Sequence, residues 1–266
     1  SDLGGLPGKM TPLLLLLSLL LPLEAGTDFL SEIIGGREAK PHSYPYMAFV
    51  QHLIEKKKHR CGGKFVLTAA HSLLLFHNLN PCSSLCSSIN VILGVHNIKK
   101  QEKTQQVIRV KRAIPHPDHV PGRFSNDIML LELERKAKQT KAVQPLRLHE
   151  AMSQVNPGDT CLVAGWGKTT LSNDSLPTTL QEVELTVQDE QECKSAIHAY
   201  SALTEICVGD PMEMKICSKG DSGTPLVCNN MIQGILSNGA KDDTPPVVFM
   251  KVSHFLPWIK KTMGHF

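Results

Sequence analysis

Short β-rich runs recur along this chain with almost nothing helical between them. They fall at residues 46–50, 65–67, 89–93, 107–110, 128–133, 160–164, 180–187, 224–227, 231–236 and 247–252. Branched and aromatic side chains suit a pleated, half-buried surface, and Gly, Pro, Asn and Asp punctuate the runs as turn residues do. Many short strands at this spacing predict an all-β sandwich or barrel. Only near the end do Phe255, Trp258, Ile259 and Met263 take helical spacing, which predicts a short closing helix. With 266 residues, 41% of them hydrophobic, the chain can bury a sizeable core.

Residues 13–23 (LLLLLSLLLPL) form an apolar run of 11 residues, too short to span a bilayer. Met10 is a natural start and Ala25-Gly26 supplies small residues for cleavage, so the segment reads as a secretory signal peptide, with residues 1–9 upstream of the start. No other run approaches membrane length, so no membrane span is expected. Secretion exposes the eight cysteines to an oxidising environment, where disulfides form.

Basic residues number 28 and acidic 25, a net charge of +3 with a pI near 8.4. That balance excludes a strongly basic nucleic-acid binder and still admits acidic partners such as sulfated polysaccharide. The clusters at 56–60 and 99–100 read as solvated loop charge. No paired Cys-x-x-Cys or His ligand spacing occurs, so no metal site is expected.

Three segments carry chemistry. Leu67-Thr68-Ala69-Ala70-His71 is a β-rich run ending in histidine. Asn126-Asp127 opens an apolar strand. Gly220-Asp221-Ser222-Gly223 precedes apolar Pro225-Leu226-Val227. A serine hydroxyl is a poor nucleophile near neutral pH; it needs a base within hydrogen-bond reach and a carboxylate to orient that base. Histidine, aspartate and serine in this chain order match the chymotrypsin arrangement, and glycines beside the serine let backbone N–H groups face a developing oxyanion.

With these residues in view, the chain resembles the trypsin-like serine proteases, and more narrowly the granzyme and mast-cell-protease group. The supporting stretches are residues 33–48 (IIGGREAKPHSYPYMA), 93–98 (LGVHNI), 143–146 (VQPL), 165–167 (GWG) and 258–262 (WIKKT). The match covers nearly all of residues 33–266. It implies two six-stranded antiparallel barrels: residues 33–145 carrying His71 and Asp127, and residues 146–266 carrying Ser222 and the closing helix, after 1–32 of leader and activation peptide. His71 would be general base and then acid, Asp127 its orienting partner, and the Gly220 and Ser222 N–H groups the oxyanion hole. Ser237 would hydrogen-bond Asp127, and Gly239 would lie on the strand that pairs with substrate. Cleavage before Ile33 would free an ammonium that pairs with Asp221. No cofactor is implied.

The resemblance also implies a primary pocket with Ile216 at its floor, Cys217 beside it and Val247 opposite. With no Asp at the floor and no Arg at Val247, it predicts cleavage after apolar or aromatic residues. Cys161 would pair with Cys228 and Cys193 with Cys207. Cys61 normally bonds a cysteine directly after the catalytic histidine, but that position is Ser72, which leaves Cys82 or Cys86 as the alternative. Asn173-Asp174-Ser175 is a glycosylation sequon.

Several positions depart from the family pattern. Cys61-Gly62-Gly63 runs into Lys64-Phe65 with several residues missing, so one hairpin is short. Residues 73–85 look like an apolar insertion flanking the base, and 72–88 read equally as genuine chain or as a mis-joined exon. Thr224 stands where glycine is commoner, and Asn238 where an aromatic is usual. The expected function is a secreted or granule-stored serine endopeptidase, a monomer, with protein substrates, serpin-type inhibitors and anionic granule proteoglycan as partners. The alternative is a catalytically impaired homologue that acts by binding.

Overall fold

Strands form where the β-rich runs fall, and their pairing sorts them into two sheets. The computed structural model describes residues 35–54, 65–70, 87–120, 124–146, 148, 155–168, 176–213, 215, 217, 221–239 and 244–264. The chain divides into units Ser1–Leu30 and Ser31–Phe266, and every described residue lies in the second. The signal-peptide run, the Cys61 and Cys82/Cys86 question, the insertion at 73–85 and the sequon at Asn173 fall outside the described residues.

The first sheet has the order β2-β4-β5-β6-β3, from Ala48–Ile54 (β2), Phe65–Thr68 (β3), Ser87–Leu93 (β4), Gln106–Pro115 (β5) and Met129–Leu133 (β6). The second has the order β1-β8-β7-β10-β11-β12-β9, from Arg37–Glu38 (β1), Thr160–Gly165 (β7), Gln181–Thr186 (β8), Glu205–Val208 (β9), Pro225–Cys228 (β10), Met231–Gly239 (β11) and Val247–Lys251 (β12). Every strand pairing is antiparallel. Two curled antiparallel sheets with a C-terminal helix match the expected fold class. The strand allotment differs from six and six: seven and five strands are described. The N-terminal β1 crosses to the second sheet, where Arg37 Nε meets Glu182 Oε1 at 2.7 Å and the Tyr44 hydroxyl donates to Glu182 Oε2 at 2.5 Å.

Strand β6 is buried along its whole length, flanked by β5 and β3. Its one charged residue, Glu132, survives there because Lys111 Nζ lies 2.8 Å from one carboxylate oxygen and Arg112 Nε 2.5 Å from the other. Desolvation pushes the Glu132 pKa up, but the two cations together outweigh it and hold the carboxyl below its ordinary value.

The core is several clusters rather than one. Val91, Ile108, Met129 and Leu131 fill the first sheet; Val163, Leu185, Leu226 and Phe249 fill the second. A third cluster joins Ala69 and Ile128 of the first half to Ile235, Val248 and Phe255 of the second. Each full burial of such a side chain contributes about 1.5–3 kcal/mol. Two disulfides, Cys161–Cys228 and Cys193–Cys207, close loops of 67 and 14 residues as expected; chain entropy assigns them roughly 4 and 3 kcal/mol.

Among the described residues two short helices accompany the sheets. Glu190–Ala196 (α1) is capped by Asp189, whose carboxylate accepts from the N–H groups of Gln191 and Glu192. Val252–Gly264 (α2) closes the chain and buries Val252, Phe255, Leu256 and Ile259. Among the described residues no helix is long and apolar enough to cross a membrane.

Helix α2 docks on the first half through His116. The His116 ring meets Phe255 at 5.2 Å and Trp258 at 4.9 Å, both edge-on, and its backbone N–H donates to Ile128 at 2.9 Å. Burial is the largest influence on His116 and lowers its pKa; Asp118 opposes this, while His254 and His119 add to it. The neutral ring is therefore the one the fold prefers. Below the ordinary histidine pKa near 6.5 the unfolded chain takes up a proton that the folded chain resists, so stability falls as pH drops through that range. H116Q should lose less of its urea midpoint between pH 7.5 and pH 5.5 than the parent. Equal losses would show that His116 does not report on this seam.

Candidate active site

The ladder between β3 and β6 sets the geometry of the site. Thr68 pairs with Met129, Leu67 with Leu130, Val66 with Leu131 and Phe65 with Glu132. Because the strands are antiparallel, the chain leaves β3 toward His71 at the same end at which it enters β6 from Asp127. His71 itself lies outside the described residues. Ala69 and Ala70, which lead to it, are fully buried.

Asp127 is fully buried. The backbone before it turns sharply: Asn126 has φ 50°, a left-handed conformation that asparagine tolerates, and its amide donates to the Asp118 carbonyl at 3.2 Å. Ser237 Oγ, from β11 of the other sheet, donates to Asp127 Oδ2 at 2.5 Å. Ser237 reaches it through a bulge. Leu236 pairs with Phe249 and Asn238 with Val248, so Ser237 is the extra residue, and a bulge re-aims its side chain.

Ser222 sits on a tight turn. The Thr224 N–H donates to the Asp221 carbonyl at 3.0 Å, and Gly223 between them has φ 90°, the type II geometry that favours glycine. The turn is docked on β11 by Gly223 N–H to Leu236 O at 2.8 Å and Leu236 N–H to Thr224 O at 2.9 Å. A Cβ at Gly223 would collide with Thr68 Oγ1. The serine turn therefore packs directly on the strand end that leads to His71.

Asp221 is also fully buried and accepts a hydrogen bond from Gly167 N–H at 2.7 Å. A Cβ at either Gly165 or Gly167 would strike its carboxylate. The Gly-Trp-Gly stretch is thus required by close approach, and Trp166 Nε1 donates to the His96 carbonyl at 3.0 Å across to the first half. The Gly-x-Gly spacing of residues 165–167 is the sequence signal for this close approach, whereas nothing in the sequence marks Thr68.

Of the expected pocket residues, Cys217 and Val247 share one buried apolar cluster with Val208 and Leu236. Among the described residues Cys217 is the free cysteine; burial pushes its thiol pKa well up and the Asp221 carboxylate adds to this, so the thiol stays protonated. Gly239 pairs with Val247 at the edge of the β11–β12 ladder. Ile33, Ile216 and Gly220 lie outside the described residues. Among the described residues no group of three His, Cys, Asp or Glu gathers as a metal site.

Two substitutions test this geometry as structure. S237A removes a hydrogen bond to a buried carboxylate and should cost about 1.5–3 kcal/mol in urea unfolding. G223A should fold poorly or lose more, because it combines strain at positive φ with the Thr68 collision. A loss below about 0.5 kcal/mol for either would contradict the packing described.

The sequence and the fold as a whole are similar to those of known proteins. The trypsin family description matches residues 33–259. The chain is 60% identical over 260 residues to human granzyme H, covering 96% of this chain and 99% of that protein. It is 54% identical over 264 residues to human granzyme B, with 97% and 100% covered. Mouse cathepsin G is 49% identical over 262 residues, with 97% and 94% covered. A solved structure titled "Structure of GrC" superposes with a TM-score of 0.75 at 50% identity, covering 88% of this chain and all of that one. The chain therefore belongs to the trypsin family and is a granzyme-like serine endopeptidase of the chymotrypsin fold.

Proposed function

We propose that the chain is a secreted or granule-stored zymogen that cleaves proteins by a Ser-His-Asp acyl-enzyme mechanism, with His71 and Asp127 supplied by a half spanning 33–145 and Ser222 by a half spanning 146–266. The observation that carries this reading is the buried Asp127 held by Ser237 across the two sheets, at the ladder end from which the chain runs to His71.

In this mechanism Ser222 Oγ attacks the scissile carbonyl while His71 takes its proton. The Gly220 and Ser222 N–H groups stabilise the oxyanion. His71 then gives the proton to the leaving amine, and water, deprotonated by the same imidazole, releases the acyl group. Asp127 fixes the His71 tautomer and stabilises the imidazolium. Cleavage before Ile33 creates an ammonium for Asp221, a buried carboxylate for which a counter-charge offsets desolvation. Glu32 would then be the residue cut after.

The apolar cluster around Cys217 and Val247 supports a primary preference for apolar or aromatic side chains, since a charged one would lose its hydration there. The residue 13–23 run supports secretion, with removal of 1–32 before activity and glycan at Asn173. Serpin-type inhibitors and anionic granule proteoglycan are the partners this reading carries, with a monomeric enzyme.

Trimmed to begin at Ile33, the protein should react with a fluorophosphonate probe, and S222A should not; a folded, unlabelled parent would reject the enzyme mechanism. D127N should retain the fold and lower kcat by about 10⁴-fold, because the imidazole loses its tautomer. Profiling with a peptide library should give cuts after apolar or aromatic residues. Dominant cleavage after Lys, Arg or Asp would overturn the pocket assignment.

A further inference from the structure

A channel of about 890 Å³ runs along the seam between the two sheets. Its described walls are mostly aliphatic and aromatic, with Val50, Val66 and Leu93 from the first sheet and Ile232 and Ile235 from the second, while Thr68, Gln139 and Gln144 add neutral polar groups. Ser222, Gly223 and Thr224 line it too, whereas Cys217, Ser237 and Val247 do not. It is therefore distinct from the expected primary pocket and reaches the serine turn from another side. The channel borders β2 and β3.

Two polar features distinguish the channel from an ordinary packing gap. Lys136 is exposed and is the one ionised side chain among the described lining residues. It follows the end of β6 away from the serine turn: Thr68 pairs with Met129 beside Gly223, and Met129 to Leu133 extends roughly 13 Å at strand rise. At the serine end, Thr224 Oγ1 is buried without a hydrogen-bond partner. An apolar channel with one cationic side chain at its outer end and no anion among its described lining residues is complementary to an amphipathic anion with a long apolar tail.

We propose that this channel binds a long-chain monocarboxylate of the fatty-acid type. The carboxylate sits at Lys136, where it stays hydrated, and the alkyl chain runs inward along the half-buried Val66 and Leu67 toward Thr224. Binding is non-covalent and does not depend on the protease mechanism. A tail that reaches the inner end packs against the Ser222 turn.

The test uses the full chain and displacement of a fluorescent fatty acid, cis-parinarate, with thermal unfolding in parallel. Octanoate, laurate and palmitate should displace the probe with affinity rising roughly fourfold per added methylene, about 0.8 kcal/mol each, until the channel is full. Palmitate should raise the melting temperature. Hexadecanol should bind at least tenfold more weakly than palmitate, and K136Q should bring palmitate down to the level of the alcohol while leaving the alcohol unchanged. T224V should tighten palmitate severalfold by replacing an unpartnered hydroxyl with a methyl group.

Several results would overturn the proposal. These are no displacement by any chain length, as when a segment of the chain itself fills the channel; affinity independent of length; equal binding of acid and alcohol; K136Q indistinguishable from the parent; or a lowered melting temperature, which marks detergent-like unfolding. Because the readouts are binding and stability, they stand or fall separately from probe labelling at Ser222.

Discussion

One buried carboxylate, Asp127, organises the site. Withdrawing a carboxylate from water costs several kcal/mol unless its oxygens are well partnered. The partner that the geometry shows, Ser237, lies 110 residues away on the other sheet. Much of the local architecture follows from keeping that pair together. The bulge in β11 aims the hydroxyl, Asn126 bends the chain into position, and β3 and β5 clamp β6 from both sides. A one-residue slip of β6 would turn every side chain to the opposite face and shift what precedes the strand. The register and the polar contact therefore specify each other.

Asp221 is a second buried carboxylate with a different solution. Its neighbours come within reach because they lack side chains: Gly165 and Gly167 bring backbone against its oxygens, and the Gly167 amide donates. The same stretch carries Trp166, whose indole N–H crosses to the carbonyl of His96. Moving the Asp221 carboxylate would thus disturb the Ser222 turn on one side and an inter-sheet tie on the other. That linkage ties the position of Asp221 to both halves of the fold.

Legibility in the sequence was uneven, for physical reasons. β-rich runs bounded by turn residues marked the described strands other than β1 and β9, because strand identity is largely a local property. His71, Asp127 and Ser222 stood out because glycine-bracketed serine and strand-end aspartate carry unusual local chemistry. Asp127 and Ser222 are placed where their motifs suggested, at a strand entry and on a glycine turn, while His71 falls outside the described residues. Contacts between distant segments were another matter. Nothing in Arg37-Glu38 announces that two exposed residues will join the second sheet, since the pairing is decided by Glu182, 145 residues away from Arg37. Glu132 looked like an ordinary strand residue in an apolar run, and its burial depends on two cations on the neighbouring strand. Thr68 has no sequence signature at all; it matters because Gly223 leaves room for it.

The seam between the sheets is where these distant contacts concentrate, and this has a consequence for departures from the family pattern. The seam is held by a few specific ties: Ser237 to Asp127, Trp166 to His96, Gly223 against Thr68, and His116 between Phe255 and Trp258. Between them the packing is looser, as the channel along Val50 and Ile235 shows. A change in the connection between β2 and β3 acts first on β3, a strand of four residues ending in Thr68. From Thr68 it passes in one step to Gly223 and so to the Ser222 turn, and along the ladder to Met129 and the entry of Asp127. The end of β3 is therefore close to the chemistry of both Ser222 and Asp127.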